Sequence, residues 1–536
     1  MEEEMMQQLR SKATELLLRE EWNESIQAYS HFISLCLDQI SKKTHLNPDP
    51  NHLSSLNKSL CLALSNRAEA RSHLRCLAEA LRDCDQALEI DGAHFKTLLC
   101  KGKILLSLNR YGAALDCFKL ALLDPQSGSN SESINGYLER CKRLEFSSRT
   151  GAFDLSDWIL NGIRGKSPEM AEYIGGVEIK KSHVGVGRGL FATKNVDCGA
   201  LLLVTKAIAT ERGIMSNSND EDLGGNTQLV MWKNLIGKVV ESSTKCHRTH
   251  QLIRRLSTGE EEDTLEVPDI SLFRPEAEES GFLNGSIDMP TILKILDVNS
   301  LVEDAASSKV LGKNSGYHGV GLWLLPSFIN HACNPNARRL HVGDYMTVHA
   351  SRDIKAGEEI TLAYFDVLSP LNNRREMAKT WGFDCCCKRC KFEEGITGKQ
   401  EMMELEIGID RGLEAGGMVY RLEEGMRRLN ARGKEKGFLR ASFWGIYSET
   451  FESEKSLRRW GRRIPTIDVV VDSVAEAVGS DERVFKVAKE GLKRKRNGSG
   501  GGGGMVEMDR IMKLGRGVYG KVMKKQALRA LLELQE

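Results

Sequence analysis

Two short runs hold the side chains of this chain best suited to chemistry: "FINHACNPNARRL" (328–340) and "WGFDCCCKRC" (381–390). The first sets Asn330, His331 and Cys333 beside an Asn-Pro-Asn turn, where proline fixes φ and asparagine tolerates unusual backbone angles. A turn has no need of an imidazole and a thiol, although a polar loop with one buried cysteine accounts equally for this stretch taken alone. The second run crowds Cys385, Cys386, Cys387 and Cys390 together. Thiolates bind zinc tetrahedrally, and a closed set of four is a structural site. Packed core cysteines are the alternative.

Elements must hold these groups, and the whole chain limits which. At 536 residues it is too long for one ordinary domain. It is 41% hydrophobic and 28% charged, as a soluble globular protein is, with a formal charge of +1. Near-neutrality removes any global electrostatic argument for nucleic acid or a membrane surface. The run "HGVGLWLLPSFINHAC" (318–333) is too short for a membrane span and broken by Gly and Pro. The N-terminal "MEEEMMQQLR" is acidic and amphipathic, unlike a signal or transit peptide. The 14 cysteines then point to reduced thiols or metal ligands rather than a disulfide framework, in the nucleus and/or cytoplasm.

The N-terminal segment repeats. "WNESIQAYSHFI" (22–33), "LAEALRDCDQAL" (77–88) and "YGAALDCFKLAL" (111–122) align. A small residue (Ser25, Ala80, Ala114) precedes Tyr29, Cys84 or Phe118 by four, and Phe32, Ala87 or Ala121 follows three later. Ala80 and Ala114 stand 34 residues apart, the tetratricopeptide period of one helix pair. The first interval is longer because a polar insert occupies 38–58. Stacked pairs of this kind bury a shared core and present a concave groove, here expected to take a protein partner. Asn66 and Lys96 match a carboxylate clamp that holds chaperone tails in one version of these arrays. Thr14 and Cys100 stand where that version has Asn and Arg, so the bidentate guanidinium is missing. Chaperone-tail binding is not expected.

From about 175 the pattern becomes strands and glycine turns. Gly187-Arg188-Gly189 lacks the following helix of a dinucleotide fold, but glycines let a backbone approach a ligand closely. Four motifs stand in order: "GRGLFAT" (187–193), "NHACNPN" (330–336), "GEEITLAYFD" (357–366) and "FDCCCKRC" (383–390). Together they resemble the SET-domain protein-lysine methyltransferases, above all the SET-and-MYND (SMYD) branch, whose SET domain is split by an insert. The resemblance covers roughly 175–210 and 316–392 of the chain.

The resemblance implies a site. Asn330, His331 and the backbone of Gly187, Arg188 and Gly189 hold S-adenosylmethionine, with Trp381 and Phe383 near the adenine. Tyr364, placed at the end of the "GEEIT" strand, is the catalytic residue and borders the cofactor. Cys385, Cys387 and Cys390 supply three zinc ligands, and Cys333 is the fourth in this family. Cys386 is the spare, because neighbouring side chains of an extended segment point apart. The zinc is structural. Departures are Ala332, where serine is usual, and the lack of a MYND finger. Cys246, His247 and His250 are too few and too crowded for one. Repeats joined to a SET domain resemble an arrangement in plant and fungal proteins.

The chain therefore reads as a multidomain α+β protein. An N-terminal α-helical tetratricopeptide array (1–145) precedes a β-rich split SET domain (175–366, insert at about 211–315). A post-SET zinc-binding segment (367–392) and a mostly helical C-terminal region (393–536) follow, with a Gly-rich linker at 498–504. Within the insert, 227–243 is a helix candidate. The run "LKRKR" before the linker suits either a nuclear signal or a solvated turn. The expected activity is protein-lysine N-methyl transfer onto a protein substrate, with no direct nucleic acid or membrane partner. The alternative is a catalytically silent SET fold acting as a tetratricopeptide adaptor.

Overall fold

The computed structural model describes residues 2–44, 50–124, 128, 130–161, 169–182, 187–214, 221–260, 265–276, 287–303, 317–396, 407–408, 411–498 and 504–533. Six N-terminal helices form three antiparallel pairs: α1 (Glu2–Leu18) with α2 (Trp22–Thr44), α3 (Pro50–His73) with α4 (Leu77–Ile90), and α5 (Phe95–Ser107) with α6 (Tyr111–Leu122). A seventh, α7 (Ser131–Thr150), packs on the last pair, and a short α8 (Ser156–Asn161) follows it. The nine aligned residues lie on α2, α4 and α6, and all are buried. Close approach is what the small residues permit: a Cβ at Gly102 would come within 2.8 Å of the Phe118 ring. The insert at 38–58 is less a loop than an extension. Residues 38–44 continue α2 and 50–58 begin α3. Each pair turns through a non-glycine residue in the left-handed region, at Glu20, Arg75 and Asn109 (φ 61–62°).

Three sheets follow. One has the order β1 (Tyr173–Ile174), β4 (Leu201–Lys206), β10 (Tyr345–Ala350), β9 (Ala337–Val342). A second runs β2 (Val177–Lys181), β3 (Arg188–Ala192), β11 (Glu359–Leu362), β8 (Asn330–His331). The third is β5 (Ala209–Ile214), β7 (Tyr317–Leu322), β6 (Ser300–Val302). The insert thus returns the chain to the fold by pairing β5 with β7, and it contributes α9 (Glu221–Lys245), α10 (His247–Ile253) and α11 (Met289–Asn299). Apolar residues of the β-rich region and of these helices share one core, which includes Leu190, Leu235, Ile295, Trp323 and Ile360.

Beyond the sheets, α12 (Leu371–Thr380) and α13 (Lys388–Ile396) flank the cysteine-rich run. Among the described residues, eight helices between Ala415 and Glu533 enclose a separate core. "LKRKR" is neither turn nor coil. It lies in the helix Glu482–Gly498, and Arg494 donates to the carbonyls of Phe451 and Glu452. Most of the Gly-rich linker lies outside the described residues. The C-terminal helices seat on the sheets through Lys521 N–H to Gly199 O (2.6 Å) and His349 Nε2 against the Gly517 and Val518 carbonyls (both 3.2 Å). Among the described residues no helix is long and apolar enough to cross a membrane.

Candidate active site and metal centre

A two-residue parallel ladder brings the two distant motifs together, pairing Thr361 with Asn330 and Leu362 with His331. Where β8 stops, Asn336 extends the ladder with its side chain. Its Oδ1 accepts from Thr361 N–H (2.8 Å), and its Nδ2 donates to Glu359 O (2.8 Å) and Glu358 Oε1 (3.2 Å). Asn336 is 1% exposed, so these bonds satisfy an amide that burial would otherwise penalise.

Asn330 Nδ2 donates to Arg188 O (3.0 Å) and to Glu359 Oε1 (2.8 Å), which also accepts from Ser182 Oγ (2.8 Å). Gly189 lies against this carboxylate. A Cβ there would collide with Glu359 and stand 3.3 Å from Asn330 Nδ2. Gly187 takes φ +90°, which only glycine adopts cheaply. The backbone of β3 thus forms a cradle against Asn330 in which the Glu359 carboxylate fills the space a side chain at Gly189 would take. The Arg188 side chain does not face it: Nη1 donates to Arg255 O (2.7 Å) and Glu266 O (3.2 Å), and the guanidinium lies 5.1 Å from the Phe328 ring. Arg188 meets Asn330 with its carbonyl.

Tyr364 lies two residues past the end of β11, rather than ending the strand. Its hydroxyl donates to Ile329 O (2.7 Å), and its backbone N–H donates to His331 Nδ1 (3.1 Å). Burial pushes the phenol up to about 12. With Nδ1 accepting, the neutral imidazole carries its proton on Nε2, 3.3 Å from Cys333 Sγ. Burial holds the His331 pKa below its usual value. Both ring nitrogens are thus engaged, and the imidazole fixes Tyr364 with one and a cysteine with the other. Aromatic rings close round the pair. Phe365 stacks on His331 (4.2 Å), Phe383 lies 5.4 Å from His331, and Trp381 lies 5.1 Å from Tyr364. Trp381, 37% exposed, leaves ring face available for a flat ligand.

The Sγ atoms of Cys333, Cys385, Cys387 and Cys390 all lie within 4.8 Å of one another. Zn–S bonds of about 2.3 Å in a tetrahedron set S···S at about 3.8 Å, and Cys333 and Cys385 stand 3.8 Å apart. The donor set and spacing fit zinc. Cys386 is exposed and outside the group. The fourth thiol, Cys333, lies two residues past β8, so a metal bound there would tie the segment bearing Trp381 and Phe383 to the end of that strand. Asn336 and Glu359 were not singled out from the sequence. A buried carboxylate two residues after a glycine turn carries no signal until its partners are placed. The clamp-like Lys96 is already engaged, with Nζ on Asn66 Oδ1 (2.6 Å) and Glu69 (2.9 Å).

The SET domain family model matches residues 187–365, the stretch that carries the ladder, Gly187, Gly189 and Tyr364. Its homologues are SET and SMYD methyltransferases. A protein of Gibberella zeae named "Methyltransferase" is 27% identical over 61% of this chain and 46% of its own length. Human histone-lysine N-methyltransferase SMYD3 is 38% identical over 16% of this chain and 21% of its own. The chain thus spans less than half of either relative. The N-terminal helices are similar to the TPR2B domain of yeast Sti1, solved as a pHsp70 complex. That structure is 19% identical and covers 26% of this chain and 96% of its own, with a TM-score of 0.21.

Proposed function

We propose that the chain is an S-adenosylmethionine-dependent protein-lysine N-methyltransferase whose tetratricopeptide array recruits a substrate or partner protein. The observation that carries this reading is the Tyr364 hydroxyl. Burial keeps it protonated, and it donates to the carbonyl of Ile329, the residue before Asn330. The donor, when bound, supplies a methyl group on a sulfonium. Asn330 and the β3 backbone hold its polar end, and Trp381 and Phe383 offer ring faces to its base. Because the Tyr364 proton is spent on Ile329, its oxygen lone pairs are left to orient an amine and the transferring methyl. A neutral phenol also offers a lysine ammonium no ion pair. Desolvation among Tyr364, Trp381 and Phe383 favours the neutral amine, the form able to attack. Proximity and orientation then supply most of the rate. Zinc on the four cysteines is scaffolding, holding the post-SET segment over the site.

Calorimetry tests the cofactor half of this reading. Asn330→Ala removes a direct polar contact and should weaken S-adenosylmethionine binding on the order of tenfold, about 1.4 kcal/mol. His331→Ala should weaken it through the lost fixation of Tyr364. Wild-type affinity in both variants would remove this stretch from the site.

A further inference from the structure

Behind the four thiols lies a buried ionic network. Arg374 on α12 and Arg389 and Glu393 on α13 are 1%, 0% and 4% exposed. Arg374 Nη1 donates to Cys390 Sγ (3.3 Å), its Nε to Ser369 O (2.9 Å) and its Nη2 to Glu393 Oε2. Arg389 Nε donates to Glu393 Oε1 (2.7 Å), and its Nη1 to Cys333 O (2.9 Å) and Val367 O (2.7 Å). Its Nη2 donates to Ser442 Oγ (2.7 Å), which in turn donates to Glu393 Oε1 (2.8 Å). Ser442 ends the helix Lys434–Ser442, a member of the C-terminal bundle.

The charges do not cancel within the network. Two guanidinium groups face one carboxylate, and the nearby acid Asp366 is paired with Arg483 (2.7 Å). A buried cation without a counter-charge is strongly destabilising. Four neutral thiols supply nothing against it, whereas zinc with four thiolates carries two negative charges.

We propose that Arg374 and Arg389 are the charge partners of the metal centre, and that Arg389 ties that centre to the C-terminal bundle through Ser442. The proposal rests on the zinc reading above. Arg374 donates an N–H···S bond to Cys390 and sets its charge against the net-negative zinc–thiolate group. Arg389 grips the carbonyl of one metal-ligand residue, Cys333, while holding Ser442. Metal loss then leaves two arginines under-compensated at the seat of the helix Lys434–Ser442. Outer-layer partners of this kind typically change metal affinity ten- to a hundredfold when removed.

The test uses the full chain and graded chelators. Arg374→Gln should lower zinc affinity on the order of tenfold or more, and Arg374→Lys, which keeps the charge, should recover most of the loss. In cobalt-loaded protein the thiolate-to-metal absorption band should shift in Arg374→Gln and hold in Ser442→Ala. Chelating wild type should speed amide exchange in the helix Lys434–Ser442. Wild type without zinc overturns the metal reading and the proposal with it. Zinc bound equally well by wild type and Arg374→Gln, with an unmoved cobalt band, overturns this proposal and leaves the metal reading standing.

Discussion

Gly189→Ala probes the cradle by adding one methyl group. The new Cβ would collide with the Glu359 carboxylate, with the Glu359 Cδ at 2.9 Å and Asn330 Nδ2 at 3.3 Å. Glu359 is 7% exposed, so its carboxylate cannot swing freely into water. Two relaxations compete. If the carboxylate withdraws, it loses its bonds to Ser182 Oγ and Asn330 Nδ2, and hydrogen bonds to charged groups contribute about 1.5–3 kcal/mol each. If it stays, overpacking costs about 1–3 kcal/mol. The cheaper route governs, so the β2–β3–β11 sheet should lose about 1–3 kcal/mol. In a chain with several cores one melting temperature is poorly defined, so the assay is amide exchange resolved to peptides of β3 and β11. At about 1.4 kcal/mol per factor of ten, exchange there should quicken roughly five- to a hundred-and-fortyfold while α1–α7 are unchanged. Gly357→Ala is the control: nothing lies within 4 Å of its Cβ position and only its φ of +78° opposes the change. It should cost about 1 kcal/mol. Equal exchange in Gly189→Ala and wild type would refute the packing argument.

Two further outcomes follow from the same geometry. Purified protein should carry about one zinc per chain; Cys387→Ser should release it, while Cys386→Ser, altering an exposed thiol outside the group, should retain it. Elemental analysis decides, and equal metal content in both variants contradicts the ligand set. The Tyr364 phenol should titrate near pH 12 when folded, against about 10 when unfolded. The folded state favours the neutral phenol, so the stability linked to it is complete below about pH 10 and lost as pH rises towards 12. A wild-type minus Tyr364→Phe ultraviolet titration with its step near 10 contradicts this.

Much of the architecture was legible because its signals are local. Small residues at 25, 80 and 114 must let helices approach, and all three are buried. Cysteine spacing over 385–390 put three thiols on one loop and left Cys386 aside, and the structure brings Cys333 to the other three. What the sequence concealed depends on partners far along the chain. The polar composition of 38–58 suggests a loop, yet much of it prolongs helices that pack with one another. The left-handed turns at Glu20, Arg75 and Asn109 use residues that give no glycine signal. "LKRKR" looks solvated, but Arg494 caps carbonyls of a helix more than forty positions earlier. Arg188, whose backbone was expected at the cradle, spends its charge on the insert. Arg374, Arg389 and Glu393 are charged residues in helices, which composition assigns to the surface, and their burial follows only from the thiols and the carbonyls they meet.

The central claim is methyl transfer to lysine through the site around Tyr364. Wild-type protein, cell extract and methyl-labelled S-adenosylmethionine, with the label located by mass spectrometry, test it directly. Label should appear on lysine Nζ, and the rate should fall on the order of tenfold to a thousandfold in Tyr364→Phe, about 1.4–4 kcal/mol of transition-state stabilisation. Cofactor affinity should hold, since the ring and its packing remain. Label on another residue type, or lysine labelling that proceeds undiminished in Tyr364→Phe, would contradict it.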